Sequence, residues 1–306
     1  MVHRSSITIG VRKLLGMVVR RLAGSLGAEV TGFDLSKPLG HDTKNQIQDL
    51  LHEHLVLFFP SQNLNAAEHV ELGKYFGTLE AHPHLKNPSI NDHPEIFELA
   101  ASHGGVADEW HTDITFQEKP AIMSILRMVK CPSVGGDTMW SSMYAAYDAL
   151  SEPMQVFCSE LTALHDASPH GQDEKMAIHP VVRVHPVTGK KALYVNEHFT
   201  RRIVELSHSE SDVILQYLTK WVAMPQFTVR YSWATDTVAM WDNRCTQHYV
   251  LNDFEGERLI QRVTVMGDEP RGDSASRKWA PRLAGQGAIR RHDSKLRRFL
   301  RATKTQ

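Results

Sequence analysis

With 306 residues, of which 42% are hydrophobic and 23% charged, the chain has the composition of an ordinary globular protein and not of a disordered or fibrous one. Its 34 Lys and Arg residues are balanced by 35 Asp and Glu residues, so it lacks the basic excess typical of nucleic-acid-binding proteins. No apolar run approaches the roughly 20 residues that cross a bilayer, and three scattered cysteines favour a reducing, cytoplasmic compartment over a secreted, disulfide-bonded one.

The N-terminal half is predicted to combine short strands with amphipathic helices. Its first 28 residues contain no acid, which is more typical of a basic leader than of a transit peptide, and include a predicted strand at Met17–Leu22. Leucine and isoleucine recur at helical spacing over Lys44–Leu55, so a helix is expected there, leading into an apolar strand at Val56–Phe59. Asn65 and Glu68 form a capping signal that predicts a second helix.

The C-terminal half is predicted to be richer in strands. A helix over Ser209–Val222 is followed by alternating apolar and polar residues over Phe227–Trp233, which is the period of a half-buried strand. Further strands are expected at Thr237–Trp241 and Leu259–Met266. Together these elements predict a mainly β fold with helical decoration.

We expect a single domain over residues 1–270, because no internal repeat, low-complexity segment or long linker interrupts the chain. Residues 271–306 are basic and poor in aromatic residues, which predicts a loosely held C-terminal tail. No glycine-rich strand-to-helix turn of the dinucleotide or phosphate-binding kind is found, so a nucleotide cofactor is not expected.

The segment Trp110–Asp113 contains a candidate pair of metal ligands. Side chains alternate between the two faces of a strand, so the imidazole of His111 and the carboxylate of Asp113 would point the same way. A second imidazole from a distant segment would complete the two-histidine, one-carboxylate set of non-haem Fe(II) oxygenases, which leaves three metal positions open. Because the chain has 18 His residues, about one such pair is expected by chance, and it gains weight only from its context.

That context is a set of polar motifs in the C-terminal half. Gly135–Thr138 is rich in glycine, and Trp241–Arg244 leads to a further histidine, His248. Arg258 and Arg262 are four residues apart in a predicted strand, which places both guanidinium groups on one face about 13 Å apart. Burying two such charges is costly unless anions pair with them, and a planar guanidinium suits a carboxylate or sulfonate. We therefore expect a small anionic organic substrate.

Several segments together resemble the taurine dioxygenase family of Fe(II)- and 2-oxoglutarate-dependent dioxygenases. They are Trp110–Phe116, Gly135–Trp140, His179–Gly189, Leu193–Glu197 and Trp241–Asp268. The resemblance extends over most of the chain, with the motifs in compatible order. It implies a double-stranded β-helix, or jelly-roll, core and an enzyme that uses Fe(II), 2-oxoglutarate and O2 to hydroxylate its substrate, with succinate and CO2 as co-products.

Carried over position by position, the resemblance implies a role for each matching residue. His111, Asp113 and His248 would be the iron ligands. Thr138 and Arg258 would hold the far carboxylate of 2-oxoglutarate, whose keto acid end would chelate the iron.

The resemblance also implies a partly altered substrate site. His82 and Arg262 match positions that bind the substrate sulfonate in taurine dioxygenase. Leu85 and Ala107 stand where that enzyme has tyrosine and asparagine. Keeping the anion-binding pair while replacing polar contacts by apolar ones favours a larger or more apolar sulfonate, or an alkyl sulfate ester, which would release sulfite or sulfate and an aldehyde.

Two other functions stay open. An aryloxyalkanoate dioxygenase of the same family would bind a substrate carboxylate in place of the sulfonate. A metal-binding β-barrel protein without turnover is a candidate from another class, although the complete ligand set and both arginines count against it. Neither a nucleic-acid nor a membrane partner is expected. The protein is expected to form a homo-oligomer.

Other polar residues near these motifs are expected to be structural. Asp242, Asn243 and Arg244 are expected to shape the approach to His248 rather than to contact substrate. The histidines that lack ligand spacing among themselves are expected to be structural or exposed: His165, His170, His179 and His185.

Overall fold

The computed structural model of the chain describes residues 11–14, 16–81, 93–101, 107–273 and 279–282. The strands are β1 (Val11–Leu14), β2 (Met17–Arg21), β3 (Ala28–Thr31), β4 (Val56–Phe59), β5 (Phe97–Ala100), β6 (Ala121–Lys130), β7 (Thr138–Ser142), β8 (Thr162–Ala167), β9 (Gln172–Pro180), β10 (Val182–Val184), β11 (Lys191–Leu193), β12 (Thr200–Ile203), β13 (Thr228–Tyr231), β14 (Val238–Asp242), β15 (Thr246–Val250) and β16 (Leu259–Met266). The helices are α1 (His41–His54), α2 (Ala66–Lys74), α3 (Met143–Asp148), α4 (Glu152–Ser159) and α5 (His208–Trp221). The predicted substrate-binding residues His82 and Leu85 lie outside the described residues.

Two sheets pack face to face around the main core. The larger has eight strands in the order β1-β2-β3-β4-β14-β6-β16-β5, and the smaller has three in the order β13-β7-β15. Trp140 of β7 reaches across to Phe58 of β4 and Trp241 of β14, with ring centroids 5.1 and 5.7 Å from its own. The pairings in both sheets are antiparallel except that of β3 with β4. The architecture is the mainly β sandwich with helical decoration that the sequence predicts.

Strand β4 separates two hydrophobic cores. Phe58 packs into the core between the sheets, whereas Leu57 and Phe59 face a second core that includes Ile47 of α1 and Val70 of α2. Because both faces of β4 are covered, all of its residues are buried, and its sequence is uniformly apolar instead of alternating.

The helices largely follow their local sequence signals. The helix predicted to begin at Lys44 begins three residues earlier, at His41. Its first turn is polar, so the spacing of apolar residues does not reveal it. In α2 the predicted cap is present: Asn65 Oδ1 accepts the backbone N–H of Glu68 at 2.9 Å, and Glu68 Oε2 accepts that of Asn65 at 2.8 Å. Helix α5 begins after a similar capping box formed by Ser207 and Glu210.

The predicted C-terminal strands are present with small shifts at their ends. β16 spans the predicted range, and β14 begins and ends one residue later than predicted. Phe227 belongs to a short 3-10 turn before β13, because Pro225 starts that turn and delays the extended backbone.

The described part of the C-terminal tail lies against β10 and the residue that follows β12. Arg271 O accepts the backbone N–H of Val184 at 2.7 Å, and Arg282 donates its backbone N–H to Val204 O at 2.9 Å. The rest of the tail is outside the described residues, so its loose attachment stays a prediction, as does the single-domain division. None of the helices in the described ranges is long and apolar enough to cross a membrane.

Candidate metal centre and active site

His111 and His248 lie directly opposite each other in neighbouring extended segments. The N–H of His111 donates to His248 O at 3.1 Å, and the N–H of His248 donates to His111 O at 2.8 Å. The pairing continues from Val250 N–H to Ala107 O at 2.9 Å, so the segment before His111 lines one edge of β15. The two imidazole rings consequently lie with their centroids 4.0 Å apart.

Asp113 completes a compact group of three buried side chains. One possible ligand atom from each of His111, Asp113 and His248 lies within 4.8 Å of the others, and His248 Nε2 is 3.9 Å from Asp113 Oδ1. A first-row metal ion with bonds of about 2.1 Å needs donor atoms roughly 3–4 Å apart. Small side-chain adjustments would therefore suffice for the three residues to hold one ion, in the two-histidine, one-carboxylate combination.

Both imidazoles are held in the neutral form that metals require. His111 Nδ1 donates to Glu109 O at 2.8 Å, which places the proton on Nδ1 and leaves the Nε2 lone pair available as a ligand. Burial lowers the pKa of His111 to about 4. Burial, together with the neighbouring His111, also lowers the pKa of His248 well below its ordinary value. No proton has to be displaced from either ring at neutral pH.

The carboxylate of Asp113 is ionised and firmly held. Its Oδ2 accepts a hydrogen bond from Ser124 Oγ at 2.7 Å, and its Oδ1 is 2.5 Å from Arg262 Nη1. Burial alone would raise the pKa of Asp113, but the charge of Arg262, the two imidazoles and the Ser124 hydrogen bond hold that pKa well below its usual range. A buried anion beside two neutral imidazoles is a suitable donor set for a divalent cation.

The three residues lie on the wall of a cavity of about 610 Å³. The same wall carries the predicted residues Thr138, Arg258, Arg262 and Ala107. Apolar side chains supply much of the rest of the lining: Phe97, Leu99, Phe116, Phe199, Val250 and Ile260.

Arg258 is a buried cation that is fixed in place by β7 and the turn before it. Its Nε donates to Gly136 O at 3.1 Å and its Nη2 to Thr138 Oγ1 at 3.3 Å. Gly136 has a φ of 69°, and a Cβ atom there would come within 3.2 Å of the Arg258 side chain, which explains the need for glycine. Burial lowers the pKa of Arg258 to about 10, so the guanidinium stays charged at neutral pH and needs an anion.

Arg262 is a second cavity-facing cation with unused donor capacity. Its guanidinium lies over the ring of Phe97, 5.1 Å from the centroid, and contacts Asp113 through Nη1. Its Nε is buried without a hydrogen-bond partner among the described residues. A buried donor without a partner is unfavourable, so the position suits an incoming anion.

A family model described as "Taurine catabolism dioxygenase TauD, TfdA family" matches residues 19–264. The chain belongs to this family. Its membership confirms the predicted resemblance and the prediction that the protein is a 2-oxoglutarate-dependent dioxygenase.

Relatives and solved structures of this family cover most of the chain. An alkylsulfatase from Acinetobacter baylyi is 37% identical over 83% of this chain and 86% of its own. An alpha-ketoglutarate-dependent sulfate ester dioxygenase from Pseudomonas putida is 36% identical over 84% of this chain and 92% of its own. The crystal structure of a taurine dioxygenase from Burkholderia xenovorans has a TM-score of 0.77 at 35% identity and covers 84% of this chain and 93% of its own. This likeness confirms the predicted jelly-roll core.

Some polar residues that line the dioxygenase cavity were not predicted from the sequence, among them Glu80 and His198. His170 also lines the cavity and is exposed, one of the two outcomes expected for it. Glu80 Oε1 accepts a hydrogen bond from Gln117 Nε2 at 2.9 Å, and burial raises the pKa of its carboxyl. These residues carry no motif, because only the folding of their loops brings them to the cavity.

A second group of two histidines and one aspartate consists of half-buried His52 and buried His185 and Asp242. Asp242 already accepts hydrogen bonds from Arg244 Nε at 2.9 Å, Arg244 Nη2 at 2.6 Å and His185 Nε2 at 3.0 Å. The other nitrogen of His185 accepts the backbone N–H groups of Val187 and Thr188. The group is thus a satisfied ion pair, in keeping with the structural role expected for Asp242 and Arg244.

Proposed function

We propose that this dioxygenase uses Fe(II) to hydroxylate an alkyl sulfate ester or a related sulfonate. The observation that carries the proposal is the buried group His111, Asp113 and His248 on the wall of a cavity that also presents Arg258 and Arg262. The names of the relatives, alkylsulfatase and sulfate ester dioxygenase, support this substrate class.

In this proposal, His111, Asp113 and His248 would hold the iron. When bound, it would supply the oxidation of a substrate C–H bond by O2, coupled to the conversion of 2-oxoglutarate to succinate and CO2. Hydroxylation of the carbon next to the ester oxygen gives an unstable product that separates into an aldehyde and hydrogen sulfate. With a sulfonate, the same step releases sulfite.

Thr138 and Arg258 are proposed to orient 2-oxoglutarate. The guanidinium of Arg258 is held by Gly136 O and Thr138 Oγ1, so its planar fork is fixed before the cosubstrate arrives. Trp233 Nε1 donates to the same Thr138 oxygen at 2.9 Å, which fixes the hydroxyl as well. A charge that is already oriented loses little entropy on binding a carboxylate.

Arg262 is proposed to bind the anionic head of the substrate. Its unpartnered Nε supports this role, because an incoming oxyanion would supply the missing acceptor. Ala107 and the apolar lining around Phe116 and Phe199 would then surround the alkyl chain. From the family resemblance, we also propose that His82 contacts the head group and that Leu85 contacts the chain.

The decisive experiment is a substrate panel at fixed Fe(II) and 2-oxoglutarate. Alkyl sulfates of increasing length, the matching sulfonates, taurine and aryloxyacetic acids are compared by release of sulfate, sulfite or phenol and by formation of succinate. Each CH₂ buried in the cavity should add about 0.8 kcal/mol, roughly fourfold in kcat/KM, until the cavity is full. Reactions without 2-oxoglutarate, and with Asp113→Ala, are the controls.

The panel distinguishes the alternative functions. Highest efficiency with taurine would overturn the apolar substrate class. Phenol release from aryloxy acids without sulfate or sulfite release would instead establish the aryloxyalkanoate activity. Absence of succinate with the whole panel would favour a metal-binding protein without turnover.

We also propose a cytoplasmic location and a homo-oligomeric state, without nucleic-acid or membrane partners. Cys131, Cys158 and Cys245 are all free thiols, which suits a reducing compartment. Sedimentation of the purified protein would test the oligomeric state.

A further inference from the structure

A directed chain of hydrogen bonds leads from the core between the two sheets to the carboxylate of Asp113, the proposed metal ligand. Trp241 Nε1 donates to Asn243 Oδ1 at 2.9 Å, and Asn243 Nδ2 donates to Ser124 Oγ at 2.8 Å. Ser124 Oγ in turn donates to Asp113 Oδ2 at 2.7 Å. All four side chains are buried, and Ser124 and Asn243 are fully so.

The chemistry of the donors permits one arrangement of protons. An indole N–H can only donate, so Asn243 must present its oxygen to Trp241 and its NH₂ group to Ser124. The Ser124 oxygen then accepts from Asn243, and its single proton is directed to the ionised Asp113. The network consequently gives Oδ2 of Asp113 a charge-assisted hydrogen bond, while Oδ1 contacts Arg262 Nη1 and lies on the side of His248.

We propose that Ser124, oriented by Asn243, is a positioning residue that holds the Asp113 carboxylate in the orientation in which it faces His111 and His248. The hydrogen bond from Ser124 opposes rotation of the carboxylate, and a partner of this kind fixes a metal ligand before the ion binds. The inference rests on the proposed metal centre, and it gives Ser124 the task of orienting one ligand of that centre.

The test compares two buried serines. Ser124→Ala removes the hydrogen bond to Asp113, and Ser141→Ala removes an equally buried hydroxyl that donates to Val222 O at 2.6 Å. We expect Ser124→Ala to weaken Mn(II) binding about 10- to 100-fold, as is typical when the partner of a metal ligand is removed. It should also shift the visible absorption band of the Fe(II)·2-oxoglutarate complex. Ser141→Ala should do neither.

A second variant keeps the test independent of the folding of the first. Asn243→Ala leaves the Ser124 hydroxyl in place but removes the group that directs its proton, so Mn(II) affinity should fall by a smaller factor. In the double variant the losses should not add, because Asn243 acts through Ser124. Thermal unfolding of the metal-free variants gives the purely structural cost of each change.

The outcomes separate this inference from the proposed function. Equal Mn(II) affinity and an unshifted absorption band in Ser124→Ala and Ser141→Ala would overturn the positioning role while the metal centre stands. Failure of the unaltered protein to bind Mn(II) would instead overturn the metal centre, and with it the proposed function.

Discussion

The described residues include two groups of two histidines and one aspartate that differ in one physical respect. In the first, the metal group (His111, Asp113 and His248), ring nitrogens remain available to a ligand. In the second, the ion-pair group (His52, His185 and Asp242), Asp242 and His185 are saturated by protein donors and acceptors. Residue types alone therefore do not define a metal site, because the hydrogen bonds that each group already makes decide what it can still bind.

The arginines of the two groups show the same difference. Arg244 uses both Nε and Nη2 on Asp242, whereas Arg262 contacts Asp113 through Nη1 and leaves its Nε without a partner in the described part of the chain. Arg262 also lines the large cavity, and Arg244 does not. A saturated arginine stabilises the fold, whereas an incompletely paired one at a cavity is available to a substrate.

The largest expected effect concerns the stability of the ion-pair group. Asp242→Asn removes a buried charge and leaves Arg244 without its counter-ion, which should reduce the free energy of unfolding by about 3–5 kcal/mol. The measurement is denaturant unfolding. The exposed pair Lys130–Glu257 supplies the control, since Glu257→Gln should cost less than about 1 kcal/mol. An equally small effect for Asp242→Asn would show that the group is not structural.

Substitution of one histidine in each group should separate the effect on metal binding from the effect on folding stability. His248→Ala removes a proposed ligand, so Mn(II) affinity should fall by more than the roughly 100-fold that marks the upper range for changes outside the ligand set. His185→Ala should lower the unfolding temperature and leave Mn(II) affinity unchanged. Comparable losses of metal binding in both variants, measured by titration, would end the distinction between the groups.

The two cavity arginines are expected to bind different molecules, Arg262 the alkyl sulfate and Arg258 the 2-oxoglutarate. Arg262→Gln should raise the KM for an alkyl sulfate about 10- to 100-fold, as expected for the loss of a charge-assisted hydrogen bond, with little change in 2-oxoglutarate affinity. Arg258→Gln should show the reverse pattern. Steady-state kinetics with each substrate varied in turn provides the measurement, and unchanged 2-oxoglutarate affinity in both variants would contradict the assignment.

The smallest expected effect is on the pH dependence of stability. Burial lowers the pKa of His52, so on acidification the unfolded chain takes up this proton before the folded protein does. Stability from this residue is complete above the unfolded pKa of about 6.5 and decreases as the pH falls below it. His52→Gln should therefore flatten the curve of unfolding temperature against pH between about 6.5 and 5. An unchanged slope would show that His52 is not linked to folding.

The features that could be predicted from the sequence are those with a local signal. The capping box of Asn65 and Glu68, the alternation around β13 and the spacing of His111 and Asp113 depend on residues a few positions apart. The ion-pair group could not be predicted, because His52, His185 and Asp242 come from separate segments. The cavity positions of Glu80, His170 and His198 depend likewise on how loops pack against the sheets.

The order and types of residues are enough to specify the β-rich architecture, the candidate ligands and the two arginines near the C-terminal strands. The family resemblance names His248 as the partner of His111, and folding brings the two together, because backbone pairing with β15 places His248 opposite His111. Folding also decides the protonation of the ligands and the spare donor of Arg262. Desolvation and hydrogen-bond saturation are properties of atoms gathered from distant segments, and they have no counterpart in local sequence patterns.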